Sequence, residues 1–204
     1  GEQVVVVNGR GMRCACEIIT ADAGKCEVQV KNREMIRERN HRIHIAIAPP
    51  KKISRLEWFL EKATETGIDE ITPILCVHSE RKNINPGRMH KILVSSMKQS
   101  QRATLPHLNE MIKMDQFASK ETEEERFIAL CHGEWAGSLP HLQKLVSGGK
   151  DALVIIGPEG GFSADEIQCS VNRGYQPASL GNFRLRTETA GLLACQILNL
   201  QQQG

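Results

Sequence analysis

The segment from residue 151 to residue 162 reads DALVIIGPEGGF, and it is the most informative part of the sequence about the fold. Its first half is almost wholly apolar, which is typical of a strand buried on both faces of a parallel sheet. Its second half has three glycines and a proline, which is typical of the loop at which such a strand ends. Directly after it, Ser163-x-x-Glu166 is the pattern of a capping box and predicts the start of a helix. A strand, a glycine-rich loop and a helix in succession indicate an α/β fold.

The same alternation extends back to residue 43. Residues 43–48 predict a strand that stops at Pro49-Pro50, and Ser54-x-x-Glu57 predicts a capping box at the start of a helix that ends at Gly67. The remaining apolar patterns predict strands over 70–77, 126–131 and 178–180, and helices over 86–100 and 189–200. The chain from residue 43 is therefore predicted to form an open, mostly parallel α/β sheet.

The first thirty residues follow a different pattern. Residues 3–7, 13–20 and 25–31 are short β-rich runs, and Asn8-Gly9 is a hairpin turn signal. They predict a small antiparallel piece of a barrel, separated from the α/β region by a polar, basic stretch over 32–42. Because Gly1 is followed directly by a strand-like run, we expect further sequence to precede it.

Composition restricts the class of protein. The chain has 204 residues, of which 40% are hydrophobic and 25% charged, as in an ordinary soluble globular protein. No apolar run approaches the ~20 residues that a membrane helix requires, so no membrane association is expected. The seven cysteines are odd in number and lack the spacing of a disulfide framework, which predicts a cytoplasmic protein.

Charge is distributed unevenly along the chain. Residues 1–102 hold 18 Lys and Arg against 12 Asp and Glu, whereas residues 103–204 hold 8 against 12. A basic first half indicates contact with a polyanion. Two ordinarily solvated surfaces explain the same counts equally well.

Three loops follow predicted strands, at the edge of an open sheet where ligands bind. They span residues 131–134, 157–162 and 181–189. The second matches neither GxGxxG nor GxxxxGK[ST], which disfavours a dinucleotide site or a P-loop. In the third, Arg184, Arg186 and Glu188 alternate with smaller residues before an apolar helix. Capping that helix needs one residue such as Thr187, and buried charges are costly unless paired, so this loop is predicted to line a polar site.

Two stretches in these loops resemble the ribosomal RNA small subunit methyltransferase E family. They are LVIIGPEGGFSADEI over 153–167 and LGNFRLRTETA over 180–190, and further matches lie at 57–73, 79–81 and 99–102. The resemblance covers residues 43–200 in the same order. The family methylates N3 of a uridine in 16S ribosomal RNA with S-adenosylmethionine as cofactor. The resemblance implies an α/β methyltransferase domain of the SPOUT class with a C-terminal trefoil knot over 41–204, a partial PUA-like β-barrel over 1–40 that binds RNA, and a homodimer.

The resemblance also implies roles for individual residues. Cofactor binding falls on the three loops, at Leu130, His132, Gly133, Ile156, Gly157, Pro158, Glu159, Gly160, Gly161, Leu180, Gly181, Leu185, Arg186, Thr187 and Thr189. The expected catalytic residues are Arg102, Arg186 and Glu188. The two arginines would hold the uridine carbonyls or a phosphate, and Glu188 would assist proton removal or orient an arginine. A structural carboxylate paired with an arginine is an equally good interpretation of Glu188. Contacts to RNA, which is the small-subunit ribosomal RNA or the subunit itself, are expected at Lys51, Lys52, Arg55, Arg81, Lys82, Gln99 and Arg102.

Other functions stay open. No metal is expected, because the seven histidines show no ligand spacing. A non-catalytic RNA-binding or ribosome-assembly protein would keep the fold without the reaction. Methylation of another RNA, such as tRNA, fits the same residues. A nucleotide-dependent oxidoreductase would need a glycine fingerprint that the chain lacks.

Overall fold

The chain folds into two β-sheets with helices packed on the larger one. The computed structural model describes residues 1–36, 39–120, 123–131 and 139–202. The smaller sheet is antiparallel, in the order β1-β2-β3. It consists of β1 (Gln3–Val7), β2 (Met12–Ala21) and β3 (Cys26–Met35). The predicted turn at Asn8-Gly9 is confirmed, because it joins β1 to β2.

The larger sheet has seven strands, and every pairing in it is parallel. Its order is β10-β8-β9-β4-β5-β6, and β7 pairs with the end of β5. The strands are β4 (Ile43–Ile47), β5 (Glu70–Leu75), β6 (His107–Leu108), β7 (Ile112–Lys113), β8 (Glu125–Ala129), β9 (Ala152–Ile156) and β10 (Gln176–Ala178). The predicted parallel α/β sheet is confirmed.

In the described ranges, six helices lie on the two faces of this sheet. They are α1 (Ile53–Glu65), α2 (Pro86–Gln99), α3 (Met114–Ala118), α4 (Leu142–Leu145), α5 (Ala164–Asn172) and α6 (Thr187–Gln202). In β4, Ile45 and Ile47 face the core that includes α1, α2 and α6, whereas Ala46 faces the core that includes α3. Each strand therefore buries alternate side chains on opposite faces, which explains why β9 is apolar throughout.

One of the two predicted capping boxes forms. Ser163 caps α5 with both reciprocal hydrogen bonds to Glu166. The box predicted at Ser54 is wrong: α1 begins at Ile53, its N-cap is Lys52, and no side chain caps it. The Glu57 side chain, which would have completed that box, instead accepts a hydrogen bond from Arg88 at 2.9 Å.

The smaller sheet is attached where the strands of the larger sheet begin, an edge we call the amino edge. The N–H of Gly11 donates to the Ala103 carbonyl at 3.0 Å, and the N–H of Leu105 donates to the Gly9 carbonyl at 2.9 Å. Residues 103–105 lead directly into β6. In the part of the chain that the structure describes, no helix is both long and apolar enough to cross a membrane.

Candidate functional site

The candidate site lies at the opposite edge of the larger sheet, where its strands end, which we call the carboxyl edge. On one side of β4 lies β5, the next strand in the sequence. On its other side lies β9, which comes much later in the sequence and leads outward to β8 and β10. Such a reversal of strand order opens a crevice at the carboxyl ends of the strands. The loops predicted after β9 and β10 lie at this edge, and β8, the strand between β9 and β10, ends at the same edge. Of the loop predicted over 131–134, only Cys131 belongs to the described residues.

The loop after β9 needs its glycines for close packing. A Cβ on Gly157 would lie 2.9 Å from the Phe162 ring, and one on Gly160 would lie 3.0 Å from the Cβ of His78. Gly161 has a φ of +75°, a conformation that other residues rarely adopt. An added Cβ there meets no atom within 4 Å, so the space beside Gly161 is open. The loop therefore packs tightly on one side and leaves room on the other.

Hydrogen bonds from neighbouring segments hold this loop in place. The Glu159 carboxylate accepts from the N–H of Lys51 at 3.1 Å. The Gly161 carbonyl accepts from the Nδ1 of His78 at 3.1 Å. Glu166 accepts from the N–H of Val77 at 2.8 Å as well as capping α5. The turns after β4 and β5 thus fix the position of the glycine loop.

The loop after β10 is joined directly to the glycine loop. The Thr187 hydroxyl donates to the Gly157 carbonyl at 3.1 Å, and the Arg184 guanidinium donates to the Glu159 carbonyl at 3.3 Å. Thr187 is only 5% exposed, so its bond is shielded from water. Arg186 is exposed, and Phe183 is 84% exposed. The loop therefore exposes cations and an aromatic ring to solvent, whereas Thr187 at its end is buried and bonded to Gly157.

Glu188 is a buried carboxylate at the start of α6. It is 6% exposed, and its Oε1 lies 3.5 Å from the Nε of Arg55. Its Oε2 is buried and, among the described residues, has no hydrogen-bond partner. An anionic oxygen left in that state is costly, because its hydration is lost without replacement. Sequence reasoning did not anticipate Arg55 as the partner of this carboxylate.

Most residues predicted to bind the cofactor lie in these loops. Leu130, Ile156 and Pro158 are buried, and Leu180 and Leu185 are half-buried beside them. The others are half-buried or exposed loop positions, namely Gly157, Glu159, Gly160, Gly161, Gly181 and Thr189. The predictions at His132 and Gly133 lie outside the described residues.

Arg102 is not brought to the carboxyl edge. Its guanidinium donates to the Thr64 carbonyl at 3.0 Å and to the Ile68 carbonyl at 2.9 Å, which places it at the amino edge. It is 9% exposed. Gln99, at the end of α2, is exposed near it. The structure therefore separates Arg102 from Arg186, and the shared catalytic role given to them stays a prediction.

The other residues predicted to bind RNA lie nearer the carboxyl edge. Lys51, Lys52 and Lys82 are exposed. Arg81 donates to the carbonyls of Pro50 and Lys51, so part of its guanidinium holds the turn after β4.

A buried polar cluster, which the sequence did not reveal, lies at the amino edge. Nδ1 of His44 lies 2.8 Å from the Glu123 carboxylate, and Nε2 lies 2.8 Å from the Thr72 hydroxyl. Arg42 donates to Glu123 at 3.2 Å and to Glu70 at 2.6 Å. Burial raises the pKa of Glu123, but the hydrogen bond and charge of His44 outweigh it, so the pKa lies below its ordinary value.

Three members of that cluster are close enough together to suggest a metal site: His44, Glu70 and Glu123. However, the two ring nitrogens of His44 already meet different partners, and the Arg42 guanidinium lies between the carboxylates. A cation already in place makes a second one unfavourable. The cluster is better explained as an ion-pair network that ties the beginnings of β4, β5 and β8 together.

Comparison with known proteins gives consistent similarities. A family model for the RNA methyltransferase domain matches residues 37–199. A probable rRNA-methyltransferase from Porphyromonas gingivalis has a crystal structure that is similar with a TM-score of 0.93 and 38% identity, covering 100% of this chain and 86% of that one. A putative methyltransferase from Legionella pneumophila, solved with bound S-adenosylmethionine, is similar with a TM-score of 0.87 and 27% identity, covering 98% and 83%. The ribosomal RNA small subunit methyltransferase E of Bacillus subtilis is 26% identical over 215 residues, covering 100% of this chain and 83% of that protein.

Proposed function

We propose that this chain, which belongs to the RNA methyltransferase domain family, transfers a methyl group from S-adenosylmethionine to ribosomal RNA. The observation that carries the proposal is the junction of two loops at the carboxyl edge. The glycine loop and the loop bearing Arg184, Arg186 and Glu188 are joined there by the bond from Thr187 to Gly157. The Legionella relative, solved with bound S-adenosylmethionine, has a fold that matches nearly the whole chain.

The residues of this edge fit that cofactor. The open space beside Gly161 and Gly181 gives a flat ligand access to the backbone. Leu180 and Leu185 supply half-buried apolar surface for an adenine ring. We therefore keep the predicted binding residues of the three loops as the proposed cofactor site, with backbone groups of 156–161 and 180–187 as its main contacts.

The chain's own residues would prepare the RNA base for the reaction. When bound, S-adenosylmethionine supplies an electrophilic methyl group on a sulfonium. A uracil N3 is a poor nucleophile until its proton leaves, so the site needs a proton acceptor and a cation to stabilise the anion. We assign proton acceptance to Glu188 and stabilisation of the uracil oxygens to Arg186. Arg102 is left out of this assignment, because it is engaged at the other edge.

N3 of a uridine in 16S ribosomal RNA is the target that we propose. Support comes from the relatives named ribosomal RNA small subunit methyltransferase E and from the motifs of residues 153–167 and 180–190. A base must leave its stack to reach such a site. Exposed Lys51, Lys52 and Lys82 provide cations for the RNA backbone nearby.

Several broader features belong to the same proposal. We propose that residues 41–204 form a SPOUT domain with a trefoil knot and that residues 1–40 are part of a PUA-like barrel. The antiparallel sheet of β1–β3 is consistent with the latter. We further propose a homodimer that acts in the cytoplasm, where protein thiols stay reduced.

Calorimetric titration of the purified protein with S-adenosylmethionine, with NADH as the control ligand, tests the cofactor. Saturable binding of S-adenosylmethionine alone is expected. The second step is transfer of labelled methyl groups to small ribosomal subunits and to tRNA, with the product nucleoside identified by mass spectrometry. Lack of cofactor binding by a folded protein would favour a non-catalytic RNA-binding protein. Normal turnover by Glu188→Gln would remove the proton-acceptor role.

A further inference from the structure

The first turn of α1 contains a cation where helices ordinarily disfavour one. Arg55 lies in that turn, no acidic residue accompanies it, and no side chain caps the helix. The positive end of the helix dipole repels a guanidinium there, so the residue costs the helix stability. Its side chain nevertheless is only 27% exposed. Contacts of its side chain must therefore offset this cost.

Arg55 lies between carboxylates from two different loops of the candidate site. Its Nε is 3.5 Å from Glu188 Oε1, and its Nη1 is 3.8 Å from Glu159 Oε1. Glu159 belongs to the glycine loop and Glu188 to the beginning of α6. A planar guanidinium can face two carboxylates at once, which an ammonium cannot do as well. The side chain thus links α1 to both loops.

Among the described residues, Arg55 is the only cation that forms an ion pair with Glu188. The contact is made to Oε1, whereas Oε2 stays buried without a hydrogen-bond donor. A buried carboxylate is stabilised by a positive charge beside it. The Arg55 guanidinium supplies that charge beside Oε1.

We propose that Arg55 is a positioning residue for the methyl-transfer reaction. It fixes the position of the Glu188 carboxylate, to which proton acceptance is assigned above, through the contact with Oε1, and it keeps the glycine loop aligned through Glu159. The inference rests on the proposed function and gives Arg55 a different role from the RNA contact predicted from its charge. A contact with RNA would not explain why Arg55 forms ion pairs with Glu188 and Glu159.

The kinetic test compares Arg55→Met and Arg55→Lys with Lys62→Met as the control. Lys62 lies on the same helix and pairs with Glu61 and Glu65 at its other end, away from the loops. We expect Arg55→Met to lower kcat on small-subunit RNA by about 100-fold, the low end of the effect of a general base, with KM for RNA nearly unchanged. Arg55→Lys should recover part of the loss, and Lys62→Met should behave like the wild type.

The salt dependence of RNA binding separates positioning from phosphate contact. If Arg55 positions Glu188, the slope of binding affinity against salt concentration stays the same in Arg55→Met. A contact to one RNA phosphate would lower that slope by roughly 0.7 to 0.9 and raise KM while kcat at saturation stayed normal. That result would overturn the proposal.

A double-mutant cycle followed by Tm tests the pairing of Arg55 with Glu188 without an activity measurement. Arg55→Met should lower the Tm, and adding Glu188→Gln to it should raise the Tm again, because a neutral amide no longer needs the cation. Tm shifts that simply add would refute the pairing of these two residues. A wild-type protein that methylates no RNA would instead refute the proposed function, and the cycle would still report whether the pair exists.

Discussion

Replacing Thr187 by Val should weaken cofactor binding, because it cuts the side-chain bond between the two loops. Valine keeps the shape of threonine but cannot donate to the Gly157 carbonyl, which lies 3.1 Å from the hydroxyl. Thr187 is 5% exposed, so water cannot replace the lost donor easily. Leaving the partly buried Gly157 carbonyl without its partner costs about 1–3 kcal/mol.

This cost sets the size of the expected effect. If the bond is needed to hold the loops in the binding arrangement, affinity for S-adenosylmethionine should fall by roughly 5- to 150-fold, since about 1.4 kcal/mol corresponds to tenfold. The Tm should fall by about 2–4 °C for each kcal/mol in a chain of this length. Calorimetric titration and differential scanning calorimetry measure the two quantities.

Two further variants make the result interpretable. Thr187→Ser keeps the hydroxyl and should bind the cofactor nearly as well as the wild type. Thr66→Val removes a hydroxyl that donates to the Lys62 and Ala63 carbonyls at the end of α1, at the amino edge. It should lower the Tm without changing the affinity. If Thr187→Val bound the cofactor with an affinity within twofold of the wild type, the bond from Thr187 to Gly157 would not be needed for cofactor binding.

Three other perturbations follow from the packing, the charges and the thiols. Gly191→Ala should destabilise the protein by about 1–3 kcal/mol, because its Cβ would lie 2.8 Å from the Phe59 ring; an unchanged Tm would contradict this packing. Glu123→Gln should destabilise the protein at neutral pH. Because the pKa of that carboxyl is lowered in the fold, its contribution is present above the ordinary value of 4.5 and is lost as the pH falls below it. Urea unfolding should show the gap between variant and wild type shrinking below pH 4.5, and a gap that stayed constant would disprove the assignment. Cys131 is exposed at the end of β8, and S-adenosylmethionine should slow its alkylation while leaving that of exposed Cys26 unchanged; equal rates with and without cofactor would move the site away from this loop.

The sheet could be predicted because burial on two faces leaves a clear signal in the sequence. All five residues of β9 are apolar and buried, and so are most of β4. The elements that were missed are too short to show periodicity. Strands β6 and β7 have two residues each and α3 has five. Their positions depend on contacts with β5 and α5 rather than on local pattern.

Helix starts show why a motif alone does not decide local structure. Ser163 and Ser54 are both followed three residues later by Glu, yet only Ser163 caps a helix. Ser163 has extended backbone dihedrals at the end of the glycine loop. Ser54 is already inside a helix that begins one residue earlier, since the chain turns immediately after Pro50. The geometry of the preceding loop therefore determines which serine becomes the cap.

The loops of the site could be located from the sequence, but their ion pairs could not. Each loop follows a recognisable strand, and parallel strands place their ends at one edge. The pair formed by Arg55 and Glu188 joins residues far apart in the chain, and the same is true of His44 and Glu123. Arg102 was predicted to share a catalytic role with Arg186, and its hydrogen bonds lie at the amino edge of this chain. These ion pairs and hydrogen bonds are determined by the tertiary fold and cannot be read from the spacing of residues in the sequence.

The attachment of the small sheet at the amino edge sets a minimum length for a stacked strand of RNA that would touch both ends of the molecule. The five residues of β4 span about 17 Å at ~3.3 Å per residue. A stacked nucleic-acid strand advances about 3.4 Å per nucleotide. A strand that reaches from the β1–β2 turn to the glycine loop on one protomer must therefore contain at least about five stacked nucleotides. A stacked dinucleotide or trinucleotide is shorter than this span, so an assay built on such short fragments could not report whether one RNA strand contacts both surfaces.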